Sequence, residues 1–176
     1  KKKVLVRGPA LTQSGYGEHT RFLLRSLRKH EDKIDIYLLA VNWGNTGWLY
    51  KDDEERRWMD GLLQKTFEYN QSKQPYDVSI QVTIPNEWER VAPVNIGVTA
   101  GIETTKISPQ WIEKSAIMDK IITISEHAKN TFQNTTYSAK NQATGEISHN
   151  FRTTTPIEVV HYPVRKHETQ KLDLDL

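Results

Sequence analysis

The chain has 176 residues, of which 36% are hydrophobic and 26% charged, with a formal net charge of +2 and no cysteine. That is length enough for one domain with a buried core, and too polar for a membrane span. The missing cysteine excludes disulfides, thiolate nucleophiles and cysteine zinc sites, and the near-neutral charge gives no case for a nucleic-acid partner. A cytoplasmic protein without a transmembrane segment is the expectation.

Lys1 to Lys3 run into Val4 to Val6, a short buried strand, and the segment from Gly17 to Leu27 carries Phe22, Leu23 and Leu27 at helical spacing. Between them lies "RGPALTQSGYG", a glycine-punctuated turn. "KIDIYLLAV" alternates Ile34, Ile36 and Leu38 before turning continuously apolar, the pattern of a strand in a covered sheet. From Asp52 to about Asn70, Trp58, Met59, Leu62, Leu63 and Phe67 form one apolar helical face, with Asp52 to Glu55 suited to a first turn. "YDVSIQV" and "VNIGVTAGI" read as the third and fourth strands. Ser108 and Pro109 mark a helix start by capping and by a proline at the first helical position. "KIITIS" is a fifth strand whose Ser125 can cap "EHAKNTF". Residues 133–156 are polar and form an excursion with a hairpin around Gly145, before the last strand "IEVVHYPV". Strands alternating with helices predict an α/β domain with a Rossmann-like, doubly wound, mostly parallel sheet. Its boundaries are residues 1–165, with residues 166–176 a linker or tail.

In such a sheet, ligands bind beyond the carboxyl ends of the strands. The loop after the first strand lacks the third glycine of a dinucleotide fingerprint, because Thr20 stands there, and no Gly-Lys-Ser/Thr of a phosphate loop occurs. Ser14, Gly15, Tyr16 and Gly17 nevertheless open a helix whose free N–H groups suit a phosphate or sugar-phosphate. The plainer reading is a tight strand-to-helix turn, and Glu18 puts a negative charge where an anion would sit. Trp43 and Trp48 flank two glycines after the second strand, as sugar-stacking rings or as loop anchors. Trp88 in "TIPNEWERV" reads either as an acceptor contact or as one buried aromatic in a turn. Glu103 and Thr104 follow the fourth strand, placing a carboxylate and a hydroxyl where a base or sugar contact would act. No two of the six histidines stand at i, i+4, so no metal is expected, and no nucleophile-elbow motif is present.

In succession, "VLVRGP...SGYG", "YDVSIQV", "VNIGVTAGIETT", "DKIITISEHAKNTF" and "IEVVHYPV" resemble the amino-terminal half of a GT-B fold, group 1 (retaining) glycosyltransferase. That resemblance implies two Rossmann-like domains facing across a cleft, the amino-terminal one on the acceptor side. It places Ser14, Gly15, Tyr16 and Gly17 by the donor phosphates and transferring sugar, Trp43, Trp88 and Thr104 on the acceptor side, and Glu103 as the catalytic candidate. Where many relatives carry a histidine after the fourth strand, this chain reads Thr99-Ala100-Gly101. The implied substrates are a nucleotide-diphosphate sugar and a carbohydrate or glycan acceptor, with no separate cofactor. Half the expected site belongs to a second Rossmann-like domain, in cis or in trans, so the domain alone is expected to be inactive. The alternative is a non-catalytic Rossmann-like binding or assembly module.

Overall fold

In the computed structural model, which describes residues 1–164, apolar runs become six parallel strands and amphipathic segments become the helices beside them. In chain order these are β1 (Lys2–Gly8), α1 (Gly15–Arg28), β2 (Ile34–Ala40), α2 (Glu54–Gln71), β3 (Val78–Val82), β4 (Val94–Thr99), α3 (Pro109–Ala116), β5 (Lys120–Thr123), α4 (Glu126–Asn134), β6 (Tyr137–Lys140), β7 (Ile147–Phe151) and β8 (Ile157–Val159). The central sheet has the order β2-β1-β3-β4-β5-β8, every pair parallel. Strand order reverses between β1 and β3, which is the switch point of this Rossmann-like α/β domain. The polar excursion is an antiparallel hairpin, β6 on β7, turning through Gly145 at φ +72°. The expected linker at residues 166–176 lies outside the described residues.

Register decides which side chains share a face. Val4 and Val6 lie beside Ile36 and Leu38 on one strand and beside Val78 and Ile80 on the other. This face takes the apolar side of α1 through Leu23, Leu24 and Leu27. Further along it, Val98, Ile122 and Val160 line an apolar groove of about 500 Å³ that runs beside α1. His19 borders the groove with its ring edge-on to Tyr162 at 4.8 Å, and its buried Nδ1 has no hydrogen-bond partner. Burial holds the imidazole neutral, lowering its pKa to about 4 from 6.5. Well above pH 6.5 this histidine is neutral in both states and adds no pH dependence to stability. Below it the unfolded chain takes the proton first, so stability falls until the folded pKa is reached. Urea unfolding between pH 6.5 and 4 is therefore expected to show wild type losing stability relative to His19→Leu. Parallel profiles would remove this role.

α2 follows the sequence pattern with one correction. Met59, Leu62 and Thr66 turn inward while Phe67 is 63% exposed, so Phe67 is not part of the buried face. The reason is the exposed edge of β2. Thr66 Oγ1 accepts a 2.8 Å hydrogen bond from the Leu38 N–H, a group no strand pairs, and donates to Leu62 O at 2.7 Å. A polar residue thus sits where periodicity alone would put an apolar one, and it closes an edge that would otherwise present bare donors. Arg25 and Arg28 on α1 join Glu55 and Glu54 on α2, fixing the two helices side by side.

The opposite face departs most from simple strand–helix alternation. β3 and β4 are joined without an α-helix; the connection makes only a 3₁₀ turn, Pro85–Glu87, and then lies on the sheet itself. Polar residues hold it there. Asn95 Oδ1 accepts from the Val91 and Ala92 N–H groups at 3.0 and 3.1 Å and from Ser79 Oγ at 2.8 Å. Gln81 Oε1 accepts from the Glu89 N–H at 3.0 Å, and Arg7 donates to Glu87 O at 2.6 Å. The three polar side chains Ser79, Gln81 and Asn95 are fully buried, and each is satisfied by this segment or by one another. Trp88 is the plug of this face, 0% exposed and pressed flat on Gly97, beside Ile107, Ile112, Ile121 and Phe132.

Candidate functional site

The carboxyl edge of the sheet at the switch point gathers the loops after β1, β2 and β4. The β1–α1 loop is shaped from within. Ser14 caps α1, its Oγ accepting the Gly17 N–H at 2.9 Å, and shares a 2.7 Å hydrogen bond with Thr12. Arg21, buried one turn further on, reaches back to donate to Ala10 O and Thr12 O, both at 2.8 Å. Gly17 touches the loop so closely that a Cβ there would stand 2.3 Å from Thr12 O. Gly15 differs: it is exposed, and nothing lies within 4 Å of where its Cβ would be. The N–H groups of Gly15 and Tyr16 have no hydrogen-bond partner among the described residues, leaving two donors and the positive end of the α1 dipole at an open surface.

Glu18, which on sequence opposes an anion here, accepts from Arg21 at 2.9 and 3.1 Å and from Arg25 at 3.4 Å. Its charge is balanced by two guanidinium groups. Arg21 was not among the expected residues; the signal available was an arginine three residues after Glu18, on the same helical side.

Tyr16 ties this loop to the end of β4. Its hydroxyl lies 2.9 Å from Thr99 Oγ1 and accepts the Ala100 N–H at 3.1 Å. Burial, and to a lesser degree the nearby negative charge of Glu87, raise its pKa, so the phenol remains a protonated donor. Trp43, from the loop after β2, packs against Tyr16 with ring centroids 4.5 Å apart. Three segments distant in sequence therefore converge: the α1 amino terminus, Trp43 from the loop after β2, and the Thr99–Ala100 end of β4.

The remaining expected residues are placed differently. Glu103 and Thr104 lie exposed in the loop after β4; Thr104 donates to Lys106 O at 3.2 Å, and Glu103 has no hydrogen bond or ion pair among the described residues. Trp88 is a correction as an acceptor contact, because its ring is enclosed by the core and presents no face to a ligand. The turn reading of that residue holds. Ser14 spends its hydroxyl on the helix cap and on Thr12. Among the described residues, no three His, Asp or Glu side chains come together as metal ligands, and no helix is long and apolar enough to cross a membrane.

These features define a Rossmann-like α/β domain with an open edge at its switch point. No family model matches the chain, and neither the curated proteins nor the solved structures contain a significant match to it.

Proposed function

We propose that this domain is the acceptor-side half of a retaining glycosyltransferase of GT-B type, moving a sugar from a nucleotide-diphosphate donor to a carbohydrate acceptor in the cytoplasm. The observation that carries the reading is the convergence at the switch point of an unblocked helix amino terminus with the Tyr16–Trp43 ring pair. Glycosyl transfer asks for both: donors aimed at the departing diphosphate, whose negative charge grows in the transition state, and an aromatic face against the sugar. In this scheme the Gly15 and Tyr16 N–H groups face the phosphates. Trp43 and Tyr16 border the transferring sugar, and Glu103 and Thr104 reach the acceptor from the β4 loop. A second Rossmann-like domain supplies the rest of the donor site, and its closure assembles the reacting geometry.

Gly15→Ala separates this from a merely structural turn. Position 15 has room for a methyl group, so thermal stability should change by less than about 1 kcal/mol. The same methyl projects into the space a phosphate would occupy. Calorimetric titration with a panel of nucleotide-diphosphate sugars is expected to show binding that weakens about tenfold in the variant. Donor affinity unchanged by Gly15→Ala would refute the proposed phosphate contact. Failure of every donor to bind, alone or with a second domain, would favour the non-catalytic binding or assembly module.

A further inference from the structure

The loop joining β2 to α2 is held more firmly than a connection needs to be. Leu49 N–H donates to Leu11 O at 2.8 Å, Gln13 N–H to Gly47 O at 2.8 Å, and Gln13 Nε2 to Trp48 O at 2.9 Å. A bridge pairs Thr12 with Trp48, and Arg56 of α2 donates to Leu49 O at 2.5 Å. On this fixed backbone two large rings face outward, Trp48 at 43% and Tyr50 at 85% exposure. They border a hollow of about 450 Å³ that Lys51, Asp52, Arg56 and Asp60 also line. Single exposed aromatics are ordinary, but two on one concavity, on a loop tied to the β1–α1 turn, are not scattered.

Given the glycosyl transfer proposed above, on which this rests, we propose that this hollow is a second sugar subsite and that the acceptor is an extended glycan. A sugar unit has an apolar C–H face and a rim of hydroxyls. The rings of Trp48 and Tyr50 take the face. Asp60, half exposed while bound to Arg56 at 2.9 Å, and Asp52, bound to Arg57 at 2.9 Å, keep oxygens free to accept from hydroxyls. The Arg56 guanidinium is a donor beside them. Because the loop is already ordered, little conformational freedom is lost on binding. Trp43, earlier on the same loop, packs on Tyr16, so one loop carries both the ring beside the transferring sugar and the rings of the hollow. Units of the acceptor beyond the reacting one lie there.

The test is calorimetric titration of the 176-residue chain with linear α- and β-linked gluco-, manno- and galacto-oligosaccharides, from monosaccharide to hexasaccharide. At least one series is expected to bind about tenfold more tightly as it lengthens past the first units. Tyr50→Ala, which touches too little to disturb folding, and Trp48→Ala should flatten that dependence while monosaccharide binding stays unchanged. Tyr50→Phe should restore it. Absence of length dependence in every series, or its survival in the double alanine variant, overturns the subsite. The same chain titrated with nucleotide-diphosphate sugars separates the two ideas. Donor binding without length dependence removes only the subsite, whereas length dependence without donor binding, even with a second domain, removes the transferase reading and leaves a glycan-binding surface.

Discussion

Gly17→Ala is expected to destabilise the domain by about 3 kcal/mol and to lower its melting temperature by roughly 9 °C. The new Cβ would meet Thr12 O at 2.3 Å, Thr12 Oγ1 at 2.8 Å and Pro9 O at 2.9 Å, and two of these three atoms are main-chain oxygens that cannot swing aside. Relief requires the loop to move off the helix. That movement breaks the Ser14 cap and the pair of hydrogen bonds from Arg21, each of which depends on the present spacing. The effect on ligand binding should therefore follow the effect on folding, in contrast to Gly15→Ala, which leaves folding alone. Urea unfolding of both variants measures the difference. A Gly17→Ala protein as stable as its parent would show that the loop is not packed against the helix as described.

Trp88→Ala is expected to cost more, about 4 kcal/mol, because it empties the largest fully buried side chain among the described residues, the one that fills the space between Gly97 and the α3 and α4 side chains. Trp88→Phe should cost less. The indole N–H is buried without a partner, so phenylalanine removes an unsatisfied donor as well as some packing. Gly97→Ala attacks the same contact from the other side, with its Cβ 2.6 Å from the indole ring. Combined with Trp88→Phe it should be less damaging than the sum of the two, since the smaller ring leaves room for the methyl. Strictly additive effects in denaturant unfolding would contradict a direct contact.

The elements set by local chemistry were legible from the chain. Ser108 and Ser125 cap α3 and α4, each accepting a main-chain N–H three residues on, and Pro109 opens α3. The hairpin around Gly145 and the alternation of strands with helices were read on the same local terms. What escaped was non-local. Thr66 breaks the apolar period of α2 because its partner is an edge N–H twenty-eight residues away. Ser79, Gln81 and Asn95 look like blemishes in buried strands until their partners, main-chain groups of an aperiodic segment, are known. The site divides in the same way. The β1–α1 turn carries its own glycine signature, whereas Tyr16 meeting Trp43 and Ala100 depends on the order of strands. Glu103 is legible as a residue following β4, and its side chain lies exposed in that loop.

The five tryptophans fall into two optical populations. Trp88 and Trp111 are buried, at 0% and 8% exposure, and Trp58 is half covered beneath Arg28, whereas Trp43 and Trp48 sit on the loop after β2. The intrinsic emission of the chain is thus a sum of an interior signal that changes when the sheet unpacks and an edge signal that a small aqueous quencher reaches in the native state. A ligand at the switch point would shield the second without moving the first, so protection from quenching reports occupancy and a shift of the whole spectrum reports unfolding, in one cuvette.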